Sequence, residues 1–216
     1  MKNRRRALVT VAIGPHSELT DASAPSRRVF CRANHFDDFI VTQLHDIDRP
    51  ASWQKIPIIQ ELLNDYDEVF ALDADAVVVK PKTMVAGLVT RRRPFACVRH
   101  MYSNQSVPNL GVFMVRRGRF VKQLLEEMWC QTDLIGHKWW ENSAYLRLAG
   151  YDISEEPIQK LGRSFEDRRV RFLSLEWNSI PICQHPEPII KHYPGMAHED
   201  RLREIENEVR QWWERQ

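Results

Sequence analysis

Val69-Phe70-Ala71-Leu72-Asp73-Ala74-Asp75-Ala76-Val77-Val78-Val79 decides how the rest of this chain is read. An apolar run followed by a β-branched run reads as a buried strand, and the chain turns at the acidic pair between them. Two carboxylates at the end of such a strand cannot both be buried unpaired, because each isolated charge would cost several kcal/mol. A cation resolves the conflict. A hard divalent ion with oxygen ligands, Mn²⁺ or Mg²⁺, satisfies the pair and leaves positions open for the phosphates of a substrate.

Asp-x-Asp on its own carries little information, and the chain contains a second copy. Asp46-Ile47-Asp48 lies in polar surroundings before Arg49-Pro50 with no strand ahead of it, so it reads as a solvated turn. Phosphatases of the haloacid-dehalogenase type also end an apolar strand in Asp-x-Asp. They normally do so on their first strand and follow it with a Gly or Thr turn, whereas here the pair stands at position 73 and is followed by Ala76-Val77-Val78. The first reading is a metal held against the diphosphate of a nucleotide sugar. A metal-dependent phosphatase or nucleotidyltransferase using the same aspartates, a sugar-binding module without activity, and a structural turn remain alternatives.

With 216 residues and a net charge of +2, the chain fits one domain spanning 1–216, and nothing in its overall charge points to nucleic acid or an anionic membrane. The basic clusters at residues 2–6 and Arg91-Arg92-Arg93 read as solvated faces. Seven tryptophans can offer stacking platforms for sugars, but in a domain this size most of them fill the core. Cys31, Cys97, Cys130 and Cys183 show no CxxC pairing or zinc-ligand spacing and read as reduced core residues. The apolar stretch after Arg4-Arg5-Arg6 runs into Gly14-Pro15 without a cleavage site, which favours a first strand over a secretion signal. No segment has the roughly 18 apolar residues needed to span a bilayer. The expectation is a cytoplasmic protein without a membrane span.

Hydrophobic periodicity alternates strands and helices. Strands are expected at residues 8–13, 28–32, 39–42, 95–98 and 112–115, with Ser26-Arg27-Arg28 opening a helix or turn. Helices are expected at 53–63, around Phe120 to Trp129, and through Leu202, Ile205, Val209 and Trp212. This pattern is α/β, a mixed and mainly parallel sheet flanked by helices, and the end of the first strand at Gly14-Pro15 is a place for a nucleotide base.

Five segments occur in order: Trp53-Gln54-Lys55-Ile56, the strand into Asp73-Ala74-Asp75, Asn109-Leu110-Gly111-Val112-Phe113, Trp139-Trp140-Glu141-Asn142-Ser143-Ala144, and His192-Tyr193-Pro194-Gly195. Together they resemble the retaining GT-A glycosyltransferases, especially the galactosyl/xylosyl/mannosyltransferase family of plant and fungal cell-wall synthesis, and more distantly the glycogenin-like family. The resemblance covers roughly residues 7–197 and implies a single Rossmann-like GT-A domain. It also implies a metal-dependent hexosyltransferase, with Mn²⁺ or Mg²⁺, that moves a sugar from a nucleotide donor, UDP-linked by expectation, to a hydroxyl acceptor with retention of configuration. His192 would join Asp73 and Asp75 on the metal; Lys55, Asn109, Gly111 and Gly195 would line the donor site; Glu141 and Asn142 would carry catalysis.

The residues support parts of this assignment by themselves. His192 follows Ile189-Ile190-Lys191 and precedes Pro194-Gly195, where a strand gives way to a tight turn, and it can complete an Asp, Asp, His set. Gly111 permits a close approach of backbone, and Asn109 offers both a donor and an acceptor. The alternative for Asn109 and Gly111 is a strand-entry turn after Pro108, and for Lys55 a solvated lysine in the first turn of its helix. The chain departs from the family at Glu141-Asn142, where Asp-Gln is usual; acid and amide are kept while their lengths are exchanged.

Overall fold

The structure, a computed structural model, describes residues 4–154 and 156–215. Ten strands and six α-helices follow in the order β1 (Arg6–Val11), α1 (His16–Asn34), β2 (Phe36–Val41), α2 (Lys55–Asp65), β3 (Glu68–Leu72), β4 (Ala76–Val78), β5 (Phe95–Tyr102), β6 (Gln105–Arg116), α3 (Arg119–Trp129), α4 (Trp140–Leu148), β7 (Tyr151–Asp152), β8 (Gln159–Lys160), α5 (Glu166–Arg169), β9 (Val170–Leu173), β10 (Ile190–His192) and α6 (His198–Glu214). Six strands form the central sheet in the order β2-β1-β3-β6-β5-β9. Neighbours β1/β2, β1/β3 and β5/β9 are parallel, and β6 alone is reversed against β3 and β5. The expected mixed, mainly parallel α/β sheet is what forms.

Side-chain alternation along the strands builds a core on each face. Val69 and Ala71 point with Phe113 and Val115 into the layer covered by α2, α3 and α4. Phe70 and Leu72 point with Val112 and Met114 into the layer that includes Phe30 of α1. Both faces of β3 are buried, as its unbroken apolar run requires.

Helix α1 overturns one expectation. Residues 28–32 are not a strand and Ser26-Arg27-Arg28 opens nothing; both lie within a helix that begins at His16. The buried stripe of α1 is largely polar, with Thr20, Ser23, Ser26, Arg27 and Asn34 all buried, so its apolar periodicity is faint. The hydroxyls of Thr20, Ser23 and Ser26 donate to carbonyls three or four residues back, at 3.3, 3.1 and 3.2 Å, and need no outside partner. Arg27 is neutralised by Asp38 of β2 at 2.5 Å. The β-like Val29-Phe30-Cys31 is simply the apolar part of that stripe.

Two smaller readings also change. Cys130 is exposed and Cys183 half-buried, so only Cys31 and Cys97 are core residues, and all four are free thiols. Within the N-terminal basic cluster, Arg4 and Arg6 are not merely solvated. They hold the buried Glu68 at 2.7 and 2.9 Å; Lys2 and Asn3 lie outside the described residues.

Candidate metal centre and its surroundings

The turn after β3 sets the first two residues of the site. The Asp73 amide donates to the Gly111 carbonyl of β6 at 2.8 Å, and the Ala76 amide donates back to the Asp73 carbonyl at 3.0 Å. This tight turn swings the chain out of the main sheet and into β4. There β4 pairs antiparallel with β10, and Ala76 stands opposite His192. That register brings a histidine 117 positions later against the aspartates. One ligand atom each from Asp73, Asp75 and His192 lies within 4.8 Å of the others. Opposed ligands on an octahedral Mg²⁺ stand about 4.2 Å apart, so the span suits one such ion.

The residues fit a cation on a further ground. His192 is 2 % exposed, and its Nε2 is buried without a hydrogen-bond partner although Asp75 Oδ1 lies 3.2 Å away. A buried, orphaned ring nitrogen facing a carboxylate is what an imidazole ligand looks like before its ion is added. Gly111 makes room for it: a Cβ there would lie 2.2 Å from His192 Cε1. The close approach that glycine allows is therefore to this imidazole.

Electrostatics hold the Asp75 carboxylate ionised. Burial pushes the Asp75 carboxyl up, but His192 and Arg201, whose guanidinium lies 3.2 Å from Oδ2, outweigh it and bring it to about 2. Lys55 is 5 % exposed, not solvated. Its ammonium bridges Asp73 Oδ1 and Glu141 Oε1, the latter at 2.8 Å. Burial works against that ammonium, yet Asp73 and Glu141 prevail and raise its pKa. The Glu141 carboxyl is raised, chiefly by burial and also by Asp73, with Lys55 opposing.

Asn109 and Asn142 belong to one irregularity in β6. Cys97 of β5 pairs with Phe113 while the next residue, Val98, pairs with Asn109, so Leu110, Gly111 and Val112 have no partner on that side. Such a bulge frees backbone groups that must be satisfied. Asn142 does this from α4: its Oδ1 accepts from Leu110 N at 3.0 Å and its Nδ2 donates to Pro108 O at 3.2 Å. Asn109 Oδ1 accepts from Gly111 N at 2.9 Å. Gly195 takes a left-handed φ of 74° in the exposed turn after β10. Trp140, beside Glu141, is 54 % exposed and has a φ of 47°, a conformation costing of order 1–3 kcal/mol in a residue with a side chain.

The structure thus gathers Asp73, Asp75, His192, Lys55 and Glu141 into one charged cluster and sets Asn109, Gly111 and Asn142 beside it. The sequence reading missed Arg201 of α6, together with Asn178 and His100, which stand behind His192. Arg201 reaches Asp75 from 126 positions away, and no local pattern announces such a contact. Among the described residues, no helix is long and apolar enough to cross a membrane.

The sequence matches no family model and no curated protein. Solved structures with the same fold are glycosyltransferases. A glycosyltransferase involved in the glycosylation of the major capsid of PBCV-1 superposes with a TM-score of 0.67 at 13 % identity, over 94 % of this chain and 99 % of that one. GlyE of Streptococcus pneumoniae TIGR4 gives 0.56 at 13 % identity over 93 % of this chain, which spans 63 % of GlyE. The galactosyltransferase LgtC, solved with donor and acceptor sugar analogs, gives 0.52 at 12 % identity over 93 % and 95 % of the two chains. The chain has the GT-A glycosyltransferase fold.

Proposed function

We propose that this protein is a metal-dependent, retaining glycosyltransferase that moves a hexose from a nucleotide sugar, UDP-linked in the first instance, to a hydroxyl acceptor. The observation that carries this reading is the convergence of Asp73, Asp75 and the orphaned Nε2 of His192 at the carboxyl end of β3, on a fold shared with glycosyltransferases. Mn²⁺ or Mg²⁺ held by these three would supply the positive charge that offsets the donor diphosphate as it becomes a leaving group.

The chain's own residues do the rest. Lys55 fixes Asp73 from behind, so that carboxylate is aimed before a donor arrives, and Arg201 does the same for Asp75. Glu141 and Asn142 sit side by side at the start of α4: the first completes the Lys55 bridge, the second holds the β6 bulge in shape. Glu141 would then set its carboxyl, bridged to Lys55, beside the sugar, where an oxocarbenium-like transition state would develop. With Oε1 on Lys55 and only 4 % of the residue exposed, it is poorly placed to deprotonate an acceptor, which supports retention over inversion. The acceptor hydroxyl would enter on the face from which the nucleotide leaves, and a β-phosphate oxygen would take its proton. Exposed Trp140 offers a ring for stacking against a sugar.

The phosphatase alternative requires Asp73 as a free nucleophile, and its Oδ1 is committed to Lys55. A panel of nucleotide sugars incubated with and without Mn²⁺, without acceptor, tests the reading: nucleotide release from one donor, only with metal, is expected. Phosphate release from a generic phosphoester with no donor hydrolysis would replace it with the phosphatase. With an α-configured donor the product linkage should be α by NMR; a β linkage would overturn retention.

A further inference from the structure

A chain of hydrogen bonds behind His192 orients each amide in it and fixes a hydrogen on one ring nitrogen. It starts at a group that can only donate, the backbone N–H of Gly111, which meets Asn109 Oδ1 at 2.9 Å. The Asn109 amide is thereby oriented, since turning it over would set two donors face to face. The same oxygen accepts from Asn178 Nδ2 at 2.9 Å. That orients the second amide and leaves Asn178 Oδ1 facing His192 Nδ1 at 3.0 Å. A carbonyl oxygen only accepts, so Nδ1 carries hydrogen. A neutral imidazole has one N–H, and Nε2 is left with a lone pair on the side of Asp75.

The chain is rigid at its far end as well. Asn178 is fully buried, its own carbonyl accepts from His100 Nε2 at 2.6 Å, and the neighbouring Ser179 carbonyl accepts from the His192 amide at 2.9 Å. Without Asn178 nothing would hold the hydrogen on Nδ1, and the ring could take the Nε2–H form, on the side of Asp75 Oδ1, 3.2 Å away. That tautomer puts a hydrogen where an ion must bind.

We propose that Asn109 and Asn178 are positioning residues that lock His192 as the Nδ1–H tautomer and so present the Nε2 lone pair to a divalent cation. The consequence for the donor site is specific. Both lone pairs of Asn109 Oδ1 are used by Gly111 and Asn178, so only its amide hydrogens remain for a sugar hydroxyl.

This inference rests on the metal reading, and one experiment separates the two. Metal-free protein labelled with ¹⁵N-histidine is examined by long-range ¹H–¹⁵N NMR at about pH 8, above the ordinary histidine value, and Mn²⁺ alone is titrated by EPR. Wild type should show His192 protonated at Nδ1. Asn178→Leu should move the proton to Nε2 and weaken Mn²⁺ about 10–100-fold, as loss of a group orienting a ligand does. Asn178→Asp, which keeps the acceptor, should retain the Nδ1–H signal and recover most of the affinity. An Nε2–H tautomer in wild type overturns the proposal even if no variant folds, and so does unchanged Mn²⁺ affinity in folded Asn178→Leu. An Nδ1–H signal in a wild type that binds no Mn²⁺ overturns the metal reading and leaves the lock standing.

Discussion

Asp46-Ile47-Asp48 and Asp73-Ala74-Asp75 are the same pattern in two settings. The first is organised by its own neighbourhood. Asp46 caps the Asp48 amide at 2.9 Å and pairs with Arg49 at 3.5 Å, while Gln54 staples the loop through the Asp46 amide and carbonyl at 2.9 and 2.8 Å. Every partner lies within eight positions. The second pair draws its partners from across the chain: Lys55, Glu141 behind it, His192 and Arg201. One pair needs nothing further, whereas the other faces a buried ring nitrogen with no partner. What separates a turn from a site is how far each carboxylate must reach for its countercharge.

The largest effect should come from removing the lysine that binds the second pair together. Lys55→Met leaves Asp73 and Glu141 facing a desolvated gap, and breaking one partner out of a buried ion pair costs about 3–5 kcal/mol. Urea denaturation of the metal-free protein reads this, and Mn²⁺ should restore part of the loss. A variant as stable as wild type would mean that the cluster is not held by its charges.

Asp75→Ala should next reduce metal-stimulated donor hydrolysis by about 10²–10³ in rate, the usual effect of deleting one element that stabilises developing charge. Turnover at the wild-type rate in a folded variant would remove Asp75 from the site.

His100 tests the support behind the ligand. Burial, opposed by the hydrogen bond to the Asn178 carbonyl, holds its imidazole down at about 4. The unfolded chain takes up a proton near pH 6.5 and the native protein does not until pH 4. Stability is therefore fully present above pH 6.5 and falls through that window by up to about 3 kcal/mol. His100→Gln, which can still donate to the Asn178 carbonyl, should lose less stability over the same range. Parallel decline of both proteins would contradict a buried neutral His100.

The smallest effect belongs to the first pair. Asp46→Ala should leave donor hydrolysis unchanged and alter stability by no more than about 1 kcal/mol, the scale of an exposed ion pair.

The sequence made the α/β order and the β3 strand legible because both faces of β3 are covered and its apolar run is unbroken. Helix α1 was hidden because it buries hydroxyls and an arginine where a helix normally buries leucine. At the site, Asp73 and Asp75 were readable from local pattern, whereas His192 needed the ordered motifs, since only the β4–β10 register brings it near. Lys55 looked like any first-turn lysine until two acids from elsewhere in the chain were placed upon it. Asn142 was read with Glu141 as carrying catalysis, and its partners in the structure are the backbone of the β6 bulge, a feature without a sequence signature. Arg201 and Asn178 sit in no motif at all.

The central claim is that Asp73, Asp75 and His192 hold a divalent ion against a nucleotide diphosphate. Calorimetric titration of UDP into wild type and Asp75→Ala, each in Mn²⁺ and in EDTA, tests it most directly. Binding only to wild type and only with Mn²⁺ is the predicted result. Equal affinity in EDTA, or undiminished Mn²⁺-dependent binding to Asp75→Ala, would contradict it.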